Sequence, residues 1–178
     1  SHSADPSEAV QKTNDYMTAY GDTDCIYATG EDYITPAADV IKSRGITDCK
    51  IYGSNISPSV CQLIMDGQVE ACTGGEFVCG SLAVTLLINY LDGNPIKDAD
   101  GTAPYFDNLT QFMVTAENAE DFYEFLSDEN LATHTISDEE YQNLLVRNNP
   151  DVDYDYFYDF LTNYEENVYA KVEANAAQ

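Results

Sequence analysis

One local pattern repeats through the first half of the chain and limits its fold more than any other feature: a short apolar run, a small loop, a capped helix, then a glycine. Cys25-Ile26-Tyr27-Ala28-Thr29 predicts a strand, followed by the loop Gly30-Glu31-Asp32-Tyr33. A helix follows, with Thr35 as cap, Pro36 at its first position, Ala37, Val40 and Ile41 facing inward, and Gly45 as stop. The second round runs from the strand 49–53 through Ser54-Asn55-Ile56 to Ser57-Pro58, with Val60, Cys61, Ile64 and Met65 inward and Gly67 as stop. The third has a strand over Val69 to Thr73, the loop Gly74-Gly75-Glu76-Phe77 and a helix from Cys79 to Leu91. This βαβ rhythm predicts an α/β fold built on a parallel sheet flanked by helices, because only a crossover helix returns the chain to the same end of the sheet. Ligands of such sheets bind beyond the carboxyl ends of the strands. The loops 29–33, 54–56 and 74–77 stand there.

A helix over 5–21 precedes the first strand, with Asp5 as cap and Pro6 at its first position. After Gly93 the character changes. Residues 94–108 read as a polar loop, 109–114 as one more strand, and 117–127, 137–147 and 153–173 as helices. Ser137 and Glu140 form a capping box at the start of the second of these. In the last, Tyr154, Phe157, Leu161, Tyr164 and Val168 follow helical spacing and read as packing. The longest apolar run, Leu82 to Leu91, is broken by Thr85 and Asn89 and reads as a buried helix; it falls short of the ~18 residues a membrane span needs.

Charge excludes two classes of partner. The formal net charge is −25, with seven Lys and Arg against 32 Asp and Glu. Binding driven by phosphate neutralisation is therefore excluded, so no nucleic acid is expected, and so is a polybasic membrane anchor. Residues 98–178 carry net −17 and residues 1–97 net −8, which makes the second part an acidic, solvating face.

The five cysteines, 25, 49, 61, 72 and 79, make no CxxC pair and have no nearby histidine, so neither a zinc site nor a closed disulfide framework is expected. Cys25, Cys49 and Cys72 fall in strand-like runs and read as small buried hydrophobes. Asp151, Asp153 and Asp155 alternate like a calcium loop, but Tyr156 and Thr162 stand where such a loop needs glycine and glutamate. Glu31 and Asp32 suggest a phosphoacceptor pocket that lacks its lysine. His134 has no nucleophile motif around it, and no GxSxG elbow is present. No catalytic residue, metal or cofactor is expected.

Three blocks carry a resemblance: Asp24-Cys-Ile-Tyr-Ala-Thr-Gly-Glu-Asp-Tyr33, Ile51-Tyr-Gly-Ser-Asn-Ile-Ser-Pro58 and Met65-Asp-Gly-Gln-Val-Glu-Ala-Cys-Thr73. In order and spacing, over about residues 5–93, they resemble the type I periplasmic solute-binding proteins, in particular the ribose- and galactose-binding branch of sugar ABC transporters. The resemblance implies one partial lobe over 4–115, with an acidic helical extension over 116–178, as the C-terminal fragment of a longer precursor. It implies a non-catalytic solute-binding component, extracellular and attached to the cell surface in the full-length form, that takes a sugar or polyol and hands it to an ABC permease.

Residue by residue, Asn55 matches the position of a sugar-binding Asp. Gly30 stands where Asn is usual, with Glu31 on the following Asp, and Gly75 where Gln or Asp often meets the sugar. The glycines leave room for a larger ligand, and Glu31, Asp32 and Glu76 are left to meet a polyol or a cationic group. Two other readings are a sensor domain of the same fold and a receiver-like domain. An open sheet edge at 25–29 would be covered by the tail or paired with a second copy as a homodimer.

Overall fold

The computed structural model describes residues 5–76, 78–107, 109–128 and 135–177. Phe77 and His134 lie outside the described residues. The chain divides into two compact units, residues 1–74 with 113–127, and residues 75–112 with 128–178.

The first unit holds α1 (Pro6–Ala19), β1 (Cys25–Ala28), α2 (Glu31–Ser43), β2 (Lys50–Ser54), α3 (Pro58–Met65), β3 (Ala71–Gly74), most of β4 (Phe112–Thr115) and α5 (Ala119–Ser127). The sheet order is β1-β2-β3-β4. β1 and β2 run parallel in register Ala28↔Gly53, and β2 and β3 run parallel in register Ser54↔Thr73. This is the α/β arrangement the rhythm predicts. The side-chain period of two sends Ala28, Ile51, Gly53, Cys72 and Val114 to one buried face. α2 packs on β1 and β2 through a stripe that includes Ile34, Ala37, Ala38 and Ile41. The same period turns Cys25, Tyr27, Tyr52 and Met113 the other way, and they are exposed. Cys25 is therefore not the buried hydrophobe its apolar run suggested. Cys49 and Cys72 are buried as expected.

The first three strand ends and the caps at Asp5 and Ser57 follow the expected pattern, but α2 does not. It begins at Glu31 with Gly30 as N-cap, and Pro36 sits inside it. The Gly30 carbonyl already accepts the amides of Tyr33 and Ile34, both at 2.9 Å, so the first turn is closed before Thr35 is reached. Glu31 and Asp32 then sit in the first turn, where the helix dipole favours them. Pro36 costs one bond, to the carbonyl of the exposed Asp32, which water can satisfy.

The second unit holds α4 (Val78–Leu91), α6 (Asp138–Asn143), α7 (Tyr154–Thr162) and α8 (Tyr164–Ala176). The expected helix 153–173 is broken at Asn163. Its side chain donates to the Asp159 carbonyl at 2.8 Å, and the Thr110 hydroxyl lies against the break. That hydroxyl donates to the Leu161 carbonyl at 3.1 Å and accepts the Glu165 amide at 3.1 Å, satisfying the end of one helix and the start of the next. Phe157, Leu161, Tyr164 and Val168 are buried, and Tyr154 stacks on Phe106 with ring centroids 4.9 Å apart. The Ser137–Glu140 capping box is present, although α6 is shorter than expected. α4 is buried along Val78, Leu82, Thr85 and Asn89 only, while Val84, Leu87 and Leu91 are exposed, so its apolar run does not make it a fully buried helix. Asn89 is tied down on both sides: it donates to the Leu144 carbonyl at 2.9 Å and accepts the Val146 amide at 3.0 Å.

Candidate functional site

In the first unit the parallel registers bring the carboxyl ends of β1, β2 and β3 side by side, at Thr29, Ser54 and Gly74. The loops leaving the first two ends carry the candidate residues. Gly30 is buried as the N-cap of α2, Asp32 is exposed, and Glu31 is half-buried. Glu31 does not hang free in a loop. Its carboxylate accepts a hydrogen bond from the Ser59 hydroxyl, which in turn lies 3.0 Å from the hydroxyl of Ser57, the N-cap of α3. One carboxylate thus links the starts of two helices, where their exposed amides favour a negative charge. Ser59 was not singled out from the sequence; its only signal was its place in the first turn of a Ser-Pro-capped helix. Asn55 is exposed in the left-handed backbone region, with φ 77°, a conformation asparagine tolerates better than most residues. Glu31 and Asp32 line a hollow of about 440 Å³ together with Pro6, Ser7, Val10, Thr35, Pro36 and Asp39; Asn55 is not part of its lining.

Gly75 and Glu76 belong to the second unit. Gly75 is buried and has φ 116°, open only to glycine at low cost. A methyl group at this position would lie 2.9 Å from Cε1 of Tyr164 and 3.7 Å from Cε1 of Phe112. Glu76 is half-buried, and the turn runs on into α4 through the Val78 and Cys79 amides, which donate to the carbonyls of Gly75 and Glu76. Tyr164, the first residue of α8, stands over Gly75. No sequence signal marks this, because residues 75 and 164 are far apart in the chain. Burial pushes the Tyr164 phenol up to about 12. The Thr135 side chain tempers that shift, and among the described residues the buried Tyr164 hydroxyl meets no partner of full hydrogen-bond geometry.

Among the described residues no three His, Cys, Asp or Glu side chains are grouped to hold a metal ion. No helix among them is long and apolar enough to cross a membrane.

Adjacent parallel strand ends carrying polar residues at helix starts place the chain in the class of open α/β folds, whose ligands as a rule meet the carboxyl ends of the strands. A profile of the periplasmic binding protein domain matches residues 2–95, just over half of the chain, and the protein belongs to that family of solute-binding proteins. Solved structures share the fold. A periplasmic sugar-binding protein from Pseudomonas fluorescens aligns with a TM-score of 0.60 and 18% identity, over 85% of this chain and 45% of its own. The periplasmic component of the arabinose ABC transporter from Shewanella sp. ANA-3, bound to L-arabinofuranose, aligns at 0.57 and 19%, over 72% and 42%. The Caulobacter myo-inositol binding protein aligns at 0.52 and 18%, over 66% and 39%. The chain therefore spans less than half the length of each of these structures. No curated protein matches it.

Proposed function

We propose that this chain is the C-terminal part of the solute-binding component of an ABC importer for a sugar or sugar-like ligand. In this reading residues 4–115 form the ligand-binding part and 116–178 an acidic extension. It performs no catalysis, and it acts outside the cell, attached to the surface in its full-length form. Gly30, Glu31, Asp32, Asn55, Gly75 and Glu76 are the ligand-facing positions, and the permease is met through the full-length protein.

One observation carries the reading: in a member of the periplasmic binding protein family, three parallel strands end side by side at Thr29, Ser54 and Gly74. Asn55, just beyond the second end, can donate and accept at once, as recognition of a sugar hydroxyl requires. The proteins of like fold are described as bound to, or binding, L-arabinofuranose and myo-inositol, which sets the class of ligand to try first.

Calorimetry of the full-length protein with L-arabinose, D-galactose, D-glucose and myo-inositol tests this. At least one is expected to bind, with the affinity reduced at least tenfold by Asn55→Ala. Silence across the panel would sink the reading. Pairing of two copies along β1, which lies at the end of the sheet order, is the remaining part of the proposal, and each copy's charge of −25 opposes it. Sedimentation giving only a monomer at high salt would remove it.

A further inference from the structure

We propose that the second unit holds a small-molecule site of its own: an apolar hollow between α4 and the loop that follows it, which takes a medium-chain aliphatic carboxylate with Lys97 at the head group. The site lies wholly within residues 83–104 of that unit and does not rest on the solute-binding reading above.

The 14 residues of α4 include no charged side chain. One stripe of the helix, Val78, Leu82, Thr85 and Asn89, is buried. A second stripe, Val84, Leu87 and Leu91, repeats at helical spacing on another side and is between 54% and 72% exposed, with Tyr90 beside it at 66%. A contiguous exposed apolar patch of this kind marks a binding surface.

After α4 the chain folds back on the helix. The Asn94 amide donates to the Asn89 carbonyl at 2.9 Å, and Ile96 is buried. The turn over 98–102 is pinned where the Asp98 and Asp100 carboxylates accept the Thr102 amide, each at 3.0 Å. Between helix and loop lies a hollow of about 430 Å³, with Leu86, Leu87, Tyr90, Ile96 and Pro104 in its walls. That volume falls within the roughly 300–1,000 Å³ of small-molecule sites, which are likewise mostly apolar with a few polar groups that fix orientation. The loop is held by its own hydrogen bonds, so a ligand need not order it.

The polar group here is Lys97, the single charged residue of the lining, and it is exposed. In a chain with 32 Asp and Glu against seven Lys and Arg, Lys97 makes no ion pair among the described residues. Its acidic neighbours are engaged elsewhere: Asp98 by the Thr102 amide and hydroxyl, Asp100 by the same amide. An ammonium left without a carboxylate beside an apolar hollow is complementary to a carboxylate on an apolar body. The net charge of −25 favours cations at long range, but salt screens that field beyond about 8 Å at physiological ionic strength. Lys97 therefore decides the sign of the head group.

Calorimetry of this chain and of the full-length protein with octanoate, octanol and octylammonium, each below its micelle concentration, tests the site. Saturable binding of octanoate is expected in both, tighter than that of octylammonium. Lys97→Gln is expected to weaken octanoate about fivefold, the upper range for an exposed ion pair, and to leave octanol unchanged. Leu87→Asn, at an exposed position, is expected to weaken both. No saturable octanoate binding, octylammonium bound as tightly as octanoate, or octanoate affinity unchanged by Lys97→Gln overturns the proposal. Binding by this chain but not by the full-length protein also overturns it, because another part of the protein then covers the hollow. Attachment to anionic lipid vesicles without saturable octanoate binding overturns it as well, and makes α4 a membrane contact.

Discussion

The Lys171 ammonium lies 2.5 Å from Oε2 of Glu140, with both side chains about a quarter exposed. The same carboxylate accepts the Ser137 amide at 2.6 Å, so one oxygen closes a helix cap and holds α8 at once. Burial alone would raise the Glu140 pKa; Lys171 and the Ser137 bonds outweigh it and hold the carboxyl below its usual range. A carboxyl whose folded pKa is depressed contributes stability above its unfolded pKa, about 4.3, and loses it as pH falls through the folded value. Lys171→Met is expected to cost about 1–2 kcal/mol at pH 7, between the values for exposed and fully buried pairs. Urea melts of both proteins at pH 7 and pH 3 check this: the difference should shrink strongly at pH 3. A difference that persists there would mean that packing of the lysine stem, and not the charge, does the holding.

Gly53 admits no side chain. An added Cβ would lie 2.5 Å from Cδ1 of Ile34 and 3.0 Å from the Ala28 carbonyl oxygen, so β2 lets α2 approach only because position 53 is bare. Gly53→Ala is expected to destabilise by about 1–3 kcal/mol, the usual cost of overpacking. Ile34→Val removes the carbon that clashes most and should recover part of the loss, so that the double variant is more stable than the sum of the two singles. Strict additivity in chemical melts would place the strain elsewhere.

The βαβ part was legible because its signals are local. Ser57-Pro58, Asp5-Pro6 and the apolar runs at 25–29 and 49–53 each specify an element within a few residues, and parallel pairing follows from their alternation. The start of α2 was misplaced because Thr35-Pro36 mimics a helix start, while the Gly30 carbonyl closes the first turn five residues earlier. The tail was less legible because its decisive contacts are distant in sequence. Nothing in 153–173 says that Thr110 will sit at Asn163 and divide one helix into two, or that Tyr164 will stand over Gly75. The exposure of Cys25 was missed for a simpler reason: an unbroken apolar run hides which of its alternating faces points inward.

The cysteines separate by burial, which gives a check on the fold that needs no ligand. Cys25 and Cys79 are exposed, whereas Cys49, Cys61 and Cys72 are buried. Burial also pushes the Cys61 thiol up to about 12, which removes its thiolate at neutral pH, and the thiolate is the reactive form. Of the five thiols, two are expected to react with a disulfide reagent in the native protein at pH 7.5, and the other three only in denaturant. Rapid native labelling of Cys61 in particular would show that the α3 side of the core is open.

Asn55 offers a way to part backbone strain from ligand recognition. Its φ of 77° is left-handed, a region that glycine occupies freely, asparagine at modest cost and alanine at about 1 kcal/mol or more. Asn55→Gly should therefore keep or slightly raise stability, while Asn55→Ala should lower it by about 1 kcal/mol. If the amide is also the group that meets the sugar, both substitutions remove it, and both should weaken binding by the full-length protein to a similar degree. Thermal melts and calorimetry on the two variants together decide the matter. Binding that follows stability, strong in the glycine variant and weak only in the alanine one, would assign Asn55 to shaping the turn after β2, and the ligand would have to be held by other side chains at the strand ends.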